Sequence, residues 1–193
     1  MDDPMKTINW KASAKTGSLM VNTFDSVQSQ KAMIFLDVED TGNLKYEELV
    51  EESIALAATL MRRLLRQNIE VGFAFNGKGS AVFPPANNRG NRIVLERLLA
   101  EYDKEQGAED FGQLVSALFA DTFAKNPLAE DTLLVFVTKN LNKPLAERIR
   151  EFVRERQTLV IVPVYRGEKR LFEEKVLQSK DNIRVLAREV ERT

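Results

Sequence analysis

The sequence predicts an α/β fold, a three-layer sandwich in which a mostly parallel six-stranded sheet carries helices on both faces. Three observations lead there. Continuous apolar runs, such as Ala-Met-Ile-Phe-Leu at 32–36, suit strands covered on both faces, as the central strands of parallel sheets are. These runs alternate with segments of helical periodicity, which is the pattern of repeated β–α units. The chain has 193 residues, 44% of them hydrophobic and 30% charged, with only 9 Gly and 6 Pro, so a single domain can bury a core without cross-links.

Taken in order, residues 1–30 are polar and mixed and read as an N-terminal arm, followed by a main domain over 31–193. The arm holds Trp10 and a short apolar alternation at 19–24. Both are expected to pack on the domain, because exposing such side chains forgoes about 1.5–3 kcal/mol each. The run 32–36 is the first core strand and ends at Asp37. Residues 46–67 are predicted helical: Val50, Ile54, Ala57, Ala58, Met61, Leu64 and Leu65 recur at helical spacing, with Glu47, Glu48, Glu51 and Glu52 early and Arg62, Arg63 and Arg66 late, as the helix dipole favours. Residues 71–75 form a second strand, and 80–83 a short one across a Gly77-Lys78-Gly79 turn, making a hairpin at a sheet edge. Helices at 92–102 and 111–123 follow. Then come a buried strand at 132–138, a helix at 143–156, a strand at 158–165, a helix at 169–178 and a last short strand at 183–186. In the helix at 143–156, Arg148, Arg150, Arg154 and Arg156 lie among Glu147, Glu151 and Glu155 and read first as a solvated face.

Composition removes much chemistry. The chain has no Cys, which excludes thiol nucleophiles, Cys-ligated zinc, iron–sulfur clusters and disulfides. It has no His, which excludes imidazole acid–base catalysis and His metal ligands. The net charge of -1 argues against a general nucleic-acid or anionic-membrane binder, although residues 1–138 carry -6 and residues 139–193 carry +5. No apolar run is long enough for a membrane span, and the start has no signal-peptide pattern.

In open α/β sheets ligands bind beyond the carboxyl ends of the strands. Two loops there stand out: Asp37-Val38-Glu39-Asp40-Thr41-Gly42 and Thr138-Lys139-Asn140. Carboxylates with a hydroxyl suit a hard cation, yet Asp, Thr and Gly also shape turns and cap helices for purely local reasons. The acidic loop resembles two motifs. One is the D-x-S-x-S metal motif of von Willebrand factor A domains, completed by Thr and Asp from other loops and by a partner's carboxylate. Against it, Glu39 replaces the first Ser and Asn140 stands where an Asp is common. The other is the D-x-D-x-T motif of haloacid dehalogenase phosphatases, in which Asp37 would be the nucleophile of a magnesium-dependent enzyme. Against it, Glu39 is one methylene too long, and the loop Tyr165-Arg166-Gly167 offers no further carboxylate. Gly72, Gly77 and Lys78 have the spacing of a phosphate loop, but Gly79 occupies the Ser/Thr position and no helix can begin there.

A more specific match lies upstream. Residues 3–17, Asp-Pro-Met-Lys-Thr-Ile-Asn-Trp-Lys-Ala-Ser-Ala-Lys-Thr-Gly, with Leu-Met-Val-Asn-Thr-Phe at 19–24 and the strand ending at Asp37, resemble the bacterial family called domain of unknown function 58. Lys stands for Arg at 6 and 15. The resemblance implies a von Willebrand factor A-like region over 32–193 and a non-catalytic protein-interaction module. It further implies that the chain is the soluble part of a larger membrane-anchored bacterial protein on the cytoplasmic side of the membrane, with a MoxR-type AAA+ ATPase as partner. For the metal site, Asp37, Glu39, Thr41 and Asn140 are the candidate ligands. With Asn140 neutral they form a degenerate metal-ion-dependent adhesion site, and magnesium is expected to bind only weakly, at about 0.1–1 mM or poorer. Catalytic residues and an obligate cofactor are not expected.

Overall fold

The computed structural model describes residues 30–40, 46–78, 81–86, 89–102, 107–125, 128–167 and 182–191. The strands are Lys31–Leu36 (β1), Glu70–Phe75 (β2), Ala81–Ala86 (β3), Leu133–Val137 (β4), Thr158–Tyr165 (β5) and Ile183–Val190 (β6). They form one sheet in the order β3-β2-β1-β4-β5-β6, with only the β2–β3 pairing antiparallel. The helices are Glu47–Arg66 (α1), Arg89–Ala100 (α2), Phe111–Ala117 (α3) and Lys143–Val153 (α4). After α3 the chain widens into a π turn at Leu118–Thr122 and closes in a short α turn at Phe123–Lys125.

β1 is central, as its unbroken apolar run requires, and Met33, Ile34, Phe35 and Leu36 are wholly buried. Alternate residues feed two cores. Ile34 and Leu36 pack with Ala57, Leu60, Met61 and Leu64 of α1, while Met33 and Phe35 pack with Val115 of α3 and Ala146, Ile149 and Val153 of α4. Phe35 also stacks on Phe136 of the neighbouring strand, with ring centroids 4.6 Å apart. Helices therefore cover both faces, and the expected three-layer α/β architecture is present.

Several boundaries differ from expectation, each for a local reason. β3 continues through Pro84 and Pro85 to Ala86 instead of stopping at 83. As an edge strand it can spare the two missing N–H donors. Pro85 lies against Gly72 of β2, where an added Cβ would come within 2.8 Å of the proline ring, so Gly72 serves strand packing and not a phosphate loop. α4 ends at Val153 and not at 156, because Arg154 turns to a positive φ of 51°. There the Asn182 side chain donates to the carbonyls of Arg154 and Arg156 at 2.7 and 3.2 Å, satisfying two acceptors just beyond the helix end. α2 begins at Arg89, three residues earlier than expected, and β6 runs on to Val190, paired with β5 along its whole length. The arm with Trp10 and 19–24, the residue Thr41 and the helix expected at 169–178 lie outside the described residues. No helix among the described residues is long and apolar enough to cross a membrane.

Candidate functional site: a buried carboxylate at the strand ends

Sheet register builds the site. Leu36 at the end of β1 pairs with Phe75 of β2 on one side and with Val137 of β4 on the other. The next residue of each strand therefore emerges in one row at the carboxyl edge, giving Asn76, Asp37 and Thr138 side by side. All three are buried, Asp37 being only 1% exposed.

The Asp37 carboxylate accepts four hydrogen bonds. Oδ1 takes the Glu39 N–H and the Asn76 Nδ2, both at 2.9 Å. Oδ2 takes the Thr138 hydroxyl at 2.6 Å and the Asn140 Nδ2 at 3.1 Å. A carboxylate offers about four lone-pair sites, so this one is saturated. Burial pushes the Asp37 carboxyl above its ordinary value, while the four donors, Thr138 foremost, pull the other way.

Its neighbours are satisfied as well. Asn76 gives its second Nδ2 hydrogen to the Glu109 carbonyl at 2.9 Å and accepts the Val38 N–H on Oδ1 at 2.8 Å. The Thr138 hydroxyl accepts the Asn140 N–H at 3.0 Å. Asn140 Nδ2 also donates to the Glu39 carbonyl at 2.6 Å, and its Oδ1 accepts from Lys139 Nζ at 3.2 Å. That ammonium, on a side chain only 3% exposed, pairs with Asp40 at 2.7 Å and lies 5.7 Å from the centre of the Tyr46 ring. Asp40 in turn accepts the Tyr46 N–H just before α1 at 3.1 Å. The Glu39 carboxylate turns away from Asp37 and accepts the Phe111 N–H at the start of α3, 3.2 Å away.

Of the candidate residues, Asp37, Glu39 and Asn140 are brought together, and Thr41 is outside the described residues. Asn140 meets Asp37 through its amide N–H, and Glu39 contributes its backbone carbonyl to the cluster while its carboxylate points elsewhere. Among the described residues no three acidic side chains converge as a metal-holding group. Among the described residues the donors do not fit a divalent cation, which needs lone pairs converging on one point, because the Asn140 NH2 and not an oxygen faces Asp37 Oδ2 and the Glu39 carbonyl. Nor do they fit a phosphatase. The acceptor sites of Asp37 are all taken by hydrogen bonds, Tyr165 at the end of β5 donates to Glu48 at 2.7 Å, and Arg166 just beyond it pairs with Glu191. Asn76 escaped sequence reasoning, and Lys139, although within a loop singled out there, was given no role. The one available signal for Asn76 was its place, a polar residue directly after an apolar strand, as Asp37 and Thr138 are.

A cleft of about 430 Å³ opens beside the cluster, lined among others by Asp37, Glu39, Asp110, Phe111, Lys139 and Arg148. Glu39 and Asp40 also border a second groove, about 1020 Å³, between α1 and α2.

The sequence profile of the family described as "Protein of unknown function DUF58" matches residues 1–184. The chain belongs to this family. Among curated proteins none matches it. In fold it is similar to the conserved hypothetical protein BatB from Bacteroides thetaiotaomicron, with a TM-score of 0.51 and 12% identity over 86% of this chain and 92% of that one. It is likewise similar to the SpRpn10 VWA domain, with a TM-score of 0.50 and 12% identity over 86% and 90%. Proximal thread matrix protein 1 from the mussel byssus, in a form with a zinc-occupied MIDAS motif, gives 0.50 and 13% identity over 84% of this chain and 44% of that one. The chain thus spans less than half of the mussel protein. These likenesses establish a von Willebrand factor A-like fold for the family member described above.

Proposed function

We propose that this domain is a non-catalytic protein-interaction module that meets its partner at the loops after β1 and β4, around Asp37, Glu39, Thr41 and Asn140. The observation that carries the reading is the Asp37 carboxylate, buried and saturated by four donors while a cleft lies open next to it. Such an acid is engaged as a structural acceptor and not poised for attack, and it holds three strand ends and their loops in one shape. Preformed loops lose little entropy on binding, which suits a recognition surface.

Family membership supports the finer reading. The domain would be the soluble part of a membrane-anchored bacterial protein, on the cytoplasmic side, working with a MoxR-type AAA+ ATPase. The test is binding of the purified chain to such an ATPase from the same cell, by interferometry, with wild type and with Glu39→Lys and Asp110→Lys at the cleft. Saturable binding weakened about tenfold or more by either reversal is expected, since truncating or reversing a central contact costs about 1–2 kcal/mol or more. Equal binding by all three proteins would place the contact elsewhere. Magnesium-dependent phosphomonoester hydrolysis lost in Asp37→Asn would replace the reading with an enzymatic one.

A further inference from the structure

The fold is shared with a protein whose MIDAS motif holds zinc, and here the donors disagree with a metal. We infer that the Asn140 amide, backed by the Lys139 ammonium, stands in for a divalent cation, so that this loop cluster is assembled without metal.

A cation gathers lone pairs. At the middle of this cluster Asp37 Oδ2 and the Glu39 carbonyl oxygen converge instead on one NH2 group, 3.1 and 2.6 Å from Asn140 Nδ2. The orientation of that amide is dictated by its surroundings. Rotated by half a turn, it would set its carbonyl oxygen against two oxygens and its NH2 against the Lys139 ammonium, exchanging three attractions for three repulsions. Each other side-chain oxygen described in these loops has a task that metal entry would undo. Asp37 is saturated, and the Thr138 hydroxyl spends its hydrogen on Asp37 and one lone pair on the Asn140 N–H. The Glu39 carboxylate holds the start of α3, and Asp40 holds Lys139. Positive charge is supplied from within, since the Lys139 side chain is enclosed in the same loop, where a divalent ion would also be repelled.

This inference is independent of the identity of any protein partner and is tested without one. The full chain is titrated with magnesium and with manganese by calorimetry as wild type, Asn140→Asp and Asn140→Ser. Asp exchanges the NH2 for a second acidic oxygen, and Ser exchanges it for a hydroxyl that leaves room. Wild type should show no saturable binding up to about 5 mM, and at least one variant should bind about tenfold more tightly than that limit, because such sites tune affinity by ligand charge and number. The variant's melting temperature should then rise with metal and fall with chelator while that of wild type stays put. Saturable wild-type binding below that limit overturns the inference. So does failure of both variants to gain metal, because Asn140 would not then be what keeps the cation out. Should Asn140→Asp fail to fold, the wild type and Asn140→Ser still decide the matter.

Discussion

Asn76 and Asp37, 39 residues apart in the chain, meet through Nδ2 and Oδ1 at 2.9 Å inside the domain. The contact joins the ends of β2 and β1 where no backbone pairing continues. Asn76 uses both amide hydrogens and its oxygen there, and each bond has a buried or half-buried partner.

Asn76→Ala would leave the Val38 N–H, the Glu109 carbonyl and one side of the Asp37 carboxylate short of a partner. An unsatisfied buried group costs about 1–3 kcal/mol, so a loss of about 3 kcal/mol or more is expected from urea denaturation. A loss under about 1 kcal/mol would mean that water takes over the role of the amide.

Asp37 ties stability to pH in a defined direction. Burial raises its folded pKa above the unfolded value, so the folded state binds the proton more tightly. The stability it contributes is then greatest in acid and falls as pH rises from the unfolded toward the folded pKa. The stability of wild type minus that of Asp37→Asn should accordingly grow in favour of wild type as pH is lowered from 7 toward 4. Denaturant midpoints at three or four pH values measure this, and a difference that shrinks on acidification would show that the four hydrogen bonds outweigh desolvation.

At the end of α4, Arg154 adopts a φ of 51°, a region that costs a side chain strain and glycine almost none. The bond from Asn182 reaches its backbone carbonyl, which a substitution keeps. Arg154→Gly should therefore stabilise the domain by about 0.5–1 kcal/mol, after the greater entropy of glycine in the unfolded chain is set against the relieved strain. Thermal melting of the two proteins checks it, and a lower melting temperature in the variant would show that Arg154 makes a contact worth more than its strain.

Architecture was legible because it rests on pattern. Met33–Leu36 could be assigned to a central strand because all of those side chains are apolar, and only a strand covered on both faces buries every one of them. α1 was legible because its apolar residues repeat at the helical period and its charges follow the dipole. Asp37 was legible too, as an acid at the end of a buried strand. Asn140 was legible as its neighbour in the site, but the full set of its partners was not. Asn76 and Thr138 reach Asp37 only because Leu36 is in register with both Phe75 and Val137, and register is a property of three strands paired together. Nor could the loop sequence say whether Asn140 would offer oxygen or nitrogen to Asp37. That depends on the Lys139 ammonium on one side of the amide and the Glu39 carbonyl on the other, groups whose positions the fold decides. Apolar periodicity is local and survives in the linear chain, whereas the choice between a metal ligand and a hydrogen-bond donor depends on neighbours that meet only after folding.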